Sequence, residues 1–280
     1  MNLRLWLVAS APMALVLAGC PEAELSYGEA KEAVQEAALA SEAGQLAEGS
    51  VEISTHFTLG AAAEEAAAEV AEFVRSQLPC AEVTLADKTL TVVYGAKEGA
   101  CSWNGRTMSG THIISFNRTD SAIEVSHEWQ DISNGRVEVD GTADVTWDLE
   151  DKSRHVVHEL TWTRLSDGKT ATGSGDRTQS PLDGAWANGI SVDGTRGWET
   201  DRGSWDLEID QVEWRWIDPV PQSGKYVLTT PGDKTLTMSF SRVDADTIEV
   251  TVEGTRRDHK FRVTSLGDVQ GDPEEEAGES

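Results

Sequence analysis

Three histidines, His112, His127 and His158, fall on the apolar phase of segments that alternate apolar and polar residues. Imidazoles gathered on one face are the raw material of a zinc site. Matching apolar faces across each turn pairs Gly110 with His127, His127 with Gly141, Gly141 with Leu160 and Leu160 with Gly175, so His127 and His158 stand two strands and two residues apart, at least about 10 Å. Ligands of a single zinc each lie about 2.0–2.1 Å from it. No metal or cofactor is therefore expected, and the rings read as cover for glycine gaps. The acids are also badly spaced for chemistry. Asp140, Asp144 and Asp148 share a strand face at steps of about 13 Å, beyond the roughly 5–9.5 Å of paired acid/base carboxylates. Asp206, Glu208 and Asp210 stand about 7 Å apart, but no D-x-D-x-D-G loop accompanies them to complete a calcium site. Gly173-Ser174-Gly175 is not a nucleophile elbow and sits in a strand. No Walker loop, dinucleotide fingerprint or H-E-x-x-H occurs, so no catalytic residue is expected. Trp186, Trp198, Trp205, Trp214 and Trp216 could form a carbohydrate-stacking platform. Trp198, Trp205 and Trp214 follow the apolar phase of their strands and read instead as core; Trp186, in the loop after Pro181, is expected to be exposed.

The N-terminus carries the most specific signal. Residues 1–19 hold one positive charge, Arg4, then an apolar run from Leu5 to Leu17 broken only by Ser10 and Pro12. That run is too short to span about 30 Å of hydrocarbon and reads as a signal peptide. Leu17-Ala18-Gly19-Cys20 resembles the lipobox of bacterial lipoproteins. The resemblance implies that Cys20 becomes the first residue of the mature chain and carries a thioether-linked diacylglycerol, usually with an N-acyl chain, enough acyl carbon for stable membrane anchoring. Pro21 stands where Asp would mark inner-membrane retention, which points to the outer membrane of the cell envelope. With Cys20 taken by lipid, Cys80 and Cys101 remain as one pair in an oxidising compartment and read as a disulfide.

Composition narrows the partners. The chain has 49 Asp+Glu against 23 Lys+Arg, a net charge of −26, which argues against nucleic acid and against docking on anionic lipid through basic residues. Both ends are acidic. Residues 21–50 hold seven acids and one Lys, and residues 268–280 hold six acids and no base. Residues 20–50 are accordingly expected to be a lipidated Cys with an Ala-rich tether, helical at most in part through Gly28 to Ala47, and residues 268–280 a disordered tail.

Between them, residues 51–267 read as one domain. Val70, Phe73, Val74 and Leu78 form an apolar stripe on an Ala/Glu-rich stretch ending at Pro79, which predicts one amphipathic helix over 60–78. From about Ala81 the period becomes two. In Arg136 to Leu149 the odd positions are Val, Val, Gly, Ala, Val, Trp and Leu, while the even ones are charged or Thr. Similar alternation recurs to Thr255, with hairpin residues between segments at Ser133-Asn134-Gly135, Asp167-Gly168, Asp201-Arg202-Gly203 and Pro231-Gly232-Asp233. The apolar phase slips from odd to even near Asp210-Gln211, the mark of a β-bulge. A loose repeat places Gly on the apolar face: Met108-Ser109-Gly110-Thr111, Val139-Asp140-Gly141-Thr142, Val192-Asp193-Gly194-Thr195 and Val252-Glu253-Gly254-Thr255. The fold expected is mainly β: a large curved antiparallel meander, a barrel or half-open barrel, with the helix against an end or opening. A transmembrane barrel fits poorly, because His127, His158 and Arg196 interrupt the apolar face and aromatics form no girdles.

Two function classes follow: a non-catalytic structural or interaction module displayed by its lipid anchor, or a periplasmic carrier of lipid or another apolar ligand. What separates them is whether the apolar face is filled.

Overall fold

The computed structural model describes residues 24–58, 61–99, 101–103, 106–148, 150–215, 220–255, 257–264 and 269–270. Cys20, the signal segment and Trp216 lie outside them. Two helices, α1 (Tyr27–Ile53) and α2 (Ala63–Gln77), precede sixteen strands: β1 (Glu82–Ala86), β2 (Thr89–Tyr94), β3 (Ser102–Trp103), β4 (Arg106–Thr107), β5 (Ser109–Arg118), β6 (Ala122–Ser133), β7 (Val137–Asp148), β8 (Arg154–Arg164), β9 (Lys169–Pro181), β10 (Ile190–Thr200), β11 (Gly203–Trp214), β12 (Ser223–Thr229), β13 (Thr235–Arg242), β14 (Thr247–Glu253), β15 (His259–Thr264) and β16 (Val269–Gln270). All but the small β3/β4 hairpin form one 14-stranded antiparallel sheet in which each strand pairs with the next. Among the described residues β1 and β16 do not pair with each other, so the sheet is open. The Cys80–Cys101 disulfide closes the segment between α2 and β3.

Alternation places one face of the sheet inward. Val137, Val139, Ala143, Val145 and Trp147 of β7 are buried while Asp140, Thr142, Asp144, Thr146 and Asp148 are turned away from the core. Two matching devices bend the sheet. Asp131 in β6 and Gln211 in β11 are bulged residues at φ +53° and +48°, each beside a register shift in its ladder. On the next strand inward, Asp140 accepts the Asp131 N–H at 2.9 Å and Asp193 accepts the Gln211 N–H at 2.8 Å. The following residues, Gly141 and Gly194, adopt φ +142° and +140°. A Cβ there would lie 2.1 Å from the Glu159 carbonyl oxygen and 2.2 Å from that of Asp176, so only glycine fits. The Val-Asp-Gly-Thr repeat is thus a bulge-and-bend motif, used once in β7 and once in β10, on either side of β8 and β9.

The bulge also shifts the expected register. Gly141 does pair with Leu160, and Val139 with Trp162. But the extra residue at Asp131 sets Trp129, not His127, opposite Gly141, and His127 opposite Ile114. The β8/β9 turn sets Leu160 opposite Gly173 and His158 opposite Gly175.

The stretch expected to be a tether is instead mostly helix, and that helix covers the inner face. α1 begins with a capping box in which Ser26 Oγ accepts the Glu29 N–H and Glu29 accepts the Ser26 N–H, which satisfies two orphan donors. Ala30, Ala33, Ala37, Ala40, Gly44, Ala47 and Val51 follow at alternating steps of three and four, and all are buried. Residues this small add little apolar area each, so the stretch reads as polar overall, yet they let the helix backbone lie close to the strands. Twenty-seven residues give a rod of about 40 Å, comparable to about eight strand spacings. Its start is bridged to the end of β14, where Leu25 N–H donates to the Gly254 carbonyl. Near its end Ser50 Oγ accepts the Trp129 Nε1–H from β6 at 2.7 Å. Along one flank its acids meet three hairpin turns: Glu29 with Lys234 (2.7 Å), Glu32 with Arg202 (3.0 Å) and Glu42 with Arg136 (2.8 Å). These exposed pairs each contribute little but fix where the helix sits. α2 packs its Ala63, Ala66, Ala67, Val70, Ala71 and Val74 inward beside β1, β2 and β5. In the segment expected to be a disordered tail, Val269 and Gln270 pair with Val263 and Arg262; residues 271–280 lie outside the described ones.

Candidate functional site

Charged residues occupy the inner face where α1 crosses β8, β9 and β10. Arg154, Arg177 and Arg196 keep the inward phase of their strands, and Glu48 and Glu52, one helical turn apart on α1, come down to meet them. The Arg154 side chain is completely buried. It bonds Glu48 at 2.9 Å, Glu52, and Gln179, and its guanidinium lies 5.2 Å and 4.8 Å from the rings of Trp147 and Trp186, a cation–π sandwich. Glu48 is shared: Arg177 donates to its other oxygen at 3.2 Å and Gln179 donates at 3.1 Å. Burial alone would raise both carboxyls. At Glu48 the Arg177 and Arg154 charges outweigh burial and hold the carboxyl below its ordinary value. At Glu52 burial prevails over Arg154, helped by the neighbouring Glu48 charge, and its carboxyl is raised. Opposed shifts on neighbouring carboxyls are the pattern of an acid/base pair. Here Arg154 ties up both groups and Glu52 does not line the adjoining cavity, so the arrangement acts as a buried ion-pair lock between helix and sheet.

The cavity itself, about 120 Å³, opens beside this lock. Its roof is Gly44, Gln45 and Glu48 of α1; its walls are Arg177, Gln179, Ile190, Val192, Arg196, Leu207 and Ile209, with Trp214, Arg215 and Tyr226 completing it. Arg196 Nη2 reaches under the helix to the Ala40 carbonyl at 2.7 Å. Gly44 makes this possible, since a Cβ there would stand 2.5 Å from Nη2. Arg177 and Arg196 lie diagonally on adjacent strands, each opposite a glycine, Gly194 and Gly175, which leaves room for two long side chains.

The histidines gather differently from the sequence expectation. His112 and His127 are buried and hydrogen-bonded, Nε2 to Nδ1 at 2.9 Å, with Tyr94 Oη on His112 Nδ1 at 3.4 Å. His158 lies over Gly175 and contacts Arg177 Nη2 at 3.4 Å. Burial holds all three neutral: His112 well below its ordinary value, with His127 adding to the effect; His127 down to about 3, with the Arg154 charge next; His158 down to about 2, with Arg177 and Arg196 next. The acidic stripe stays on the outer face, where Asp144 accepts from Ser126 Oγ at 2.7 Å and Asp210 pairs with Lys225 at 3.0 Å. Among the described residues the one cluster with metal-ligand spacing is Asp131, Glu138 and Asp140, and it belongs to the β6 bulge. Trp198 and Trp205 are buried and stacked 6.0 Å apart. Trp186, expected to be exposed, is half-buried against Trp147 and Arg154, because the buried guanidinium needs a second aromatic face. Of these arginines Arg196 alone was singled out from the sequence; Arg154 and Arg177 carry the same mark, a charge on the apolar phase, and were missed, and their acidic partners on α1 carry no such mark. No protein-family model, curated protein or solved structure matches this chain.

Proposed function

We propose that the chain is a lipid-anchored protein of the bacterial cell envelope, held at the outer membrane through Cys20, and that its folded part is a non-catalytic interaction module. The observation that supports this reading is that α1 of the chain itself fills the inner face of the sheet. A carrier of bulky lipid would need that face, and the space left is about 120 Å³, below the roughly 300–1,000 Å³ of ordinary ligand pockets. The outward face carries Asp140, Asp144, Glu159, Glu199 and Asp206, which suits a basic partner surface. No helix among the described residues is long and apolar enough to cross a membrane.

The test is fractionation of the full chain in a Gram-negative host. Wild type is expected in the detergent-soluble membrane fraction, with a mass increase of acyl chains at Cys20, and Cys20→Ser in neither that fraction nor that mass. Membrane recovery of Cys20→Ser equal to wild type would overturn the anchor. Native mass spectrometry of the same preparation separates module from lipid carrier: a stoichiometric adduct of diacyl-lipid mass beyond the anchor would overturn the interaction reading.

A further inference from the structure

The cavity beside Glu48 has a charge imbalance that neither the anchor nor the interaction reading uses. Arg177 and Arg196 both line it, and among the described residues Glu48 is the one carboxylate that does. That carboxylate is already shared with Arg154, at 2.9 Å. Arg196 meets a neutral acceptor, the Ala40 carbonyl. Arg177 keeps a buried Nε–H with no hydrogen-bond partner among the described residues, a costly state for a charged donor. The strain shows in Arg196, whose guanidinium is lowered to about 10 by burial and then by the Arg177 charge. The rest of the wall is apolar: Ile190, Val192, Leu207 and Ile209.

We propose that this cavity binds a small carboxylate with an apolar body, of benzoate to hexanoate size, its carboxylate between Arg177 and Arg196 and its body against Ile190, Val192, Leu207 and Ile209. An anion there supplies an acceptor for the Arg177 Nε–H and a negative charge for Arg196, whose bonded acceptor is neutral, and planar guanidinium matches a carboxylate edge. The volume, about 120 Å³, is close to the roughly 150 Å³ of an apolar cavity that holds benzene. It is too small for a diacyl lipid, and an inorganic anion would leave the aliphatic wall unfilled. The site does not depend on the anchor: failure here with Cys20-dependent membrane attachment intact leaves the proposed function standing.

The test is calorimetric titration of the full chain in detergent with benzoate and hexanoate, against benzyl alcohol and hexanol as bodies without charge, and acetate and phosphate as charge without body. Benzoate or hexanoate is expected to bind about tenfold to a hundredfold more tightly than the matched alcohol, the worth of a charge-assisted contact, and more tightly than acetate or phosphate. Arg196→Gln, which keeps a donor for the Ala40 carbonyl, is expected to lose at least tenfold for the carboxylates and nothing for the alcohols. Val192→Phe, filling the wall from an uncharged position, is expected to abolish binding of both; melting curves show that each variant is folded. Octanoate is expected to bind no tighter than hexanoate. Equal binding of alcohol and carboxylate, equal binding of acetate or phosphate, a tenfold gain with octanoate, or no binding of either carboxylate to the folded wild type would each overturn the proposal.

Discussion

Acidification from pH 7.5 to 5.5 should destabilise this protein through its buried histidines, well above the range where carboxylates titrate. His127 and His158 are held neutral, with pKa values lowered from 6.5 to about 3 and about 2. The unfolded chain takes up those protons near pH 6.5 and the folded chain does not. A lowered folded value means that the stability contribution is complete above the unfolded pKa and is lost progressively as pH falls toward the folded one. At pH 5.5, one unit below the unfolded value, each such histidine costs about 1.4 kcal/mol, or about 2.8 kcal/mol for the two. His112 adds in the same direction, because its Nε2 bond to His127 Nδ1 cannot survive with both rings protonated. For a domain of this size, 2.8 kcal/mol corresponds to a fall in melting temperature of roughly 6–11 °C. The small fraction of surface carboxylates protonated at pH 5.5 works the other way, since it relieves repulsion in a chain of net charge −26. Comparison of wild type with His127→Gln/His158→Gln removes that background. Urea unfolding followed by tryptophan fluorescence at pH 7.5 and 5.5 should show the wild type losing about 2.8 kcal/mol more than the variant. Parallel losses in the two proteins would refute the reasoning.

Other perturbations test other joints of the fold. Gly141→Ala places a methyl 2.1 Å from the Glu159 carbonyl oxygen and should cost more than about 3 kcal/mol; Gly135→Ala, at φ +85° with nothing within 4 Å, should cost only about 1 kcal/mol, and equal melting temperatures would show that the bend does not need its glycine. Arg154→Met leaves Glu52 without its cation and should cost roughly 3–5 kcal/mol, part of which Glu52→Gln in the same chain should restore by removing the orphaned carboxylate; an additive double variant in chemical denaturation would count against the lock. Below about pH 4.5 a second loss is expected as the lowered Glu48 takes up its proton, seen as a further drop in the same pH series and absent in Glu48→Gln. Cys80→Ser/Cys101→Ser opens a loop of sequence separation 21 and should cost about 3 kcal/mol, with reducing agent lowering the wild-type melting point to match.

How much of this was legible in the sequence depends on the range of the forces involved. Strand alternation is local: a period of two, punctuated by turn residues such as Asn134-Gly135 and Asp167-Gly168, dictates an antiparallel meander and which side chains face inward, including the three histidines and Arg196. The phase slip at Asp210-Gln211 located a bulge for the same reason, because one extra residue reverses every later side chain. The equivalent bulge at Asp131 left no such clear mark, and the register of β5 to β7 went astray with it. The chain alone also did not reveal the partner of the inner face. The α1 residues are alanines and glycine at helical spacing among glutamates, a pattern that carries little hydrophobicity and resembles an acidic linker. Its meaning arises only when a bent sheet presents a surface into which small residues can settle and buried arginines that require Glu48 and Glu52, more than 100 residues distant in sequence. The cavity, its two crowded guanidiniums and the lock beside it are therefore properties of the tertiary structure, since charge balance in a low-dielectric interior is decided by what lies across the space and not by neighbours along the chain.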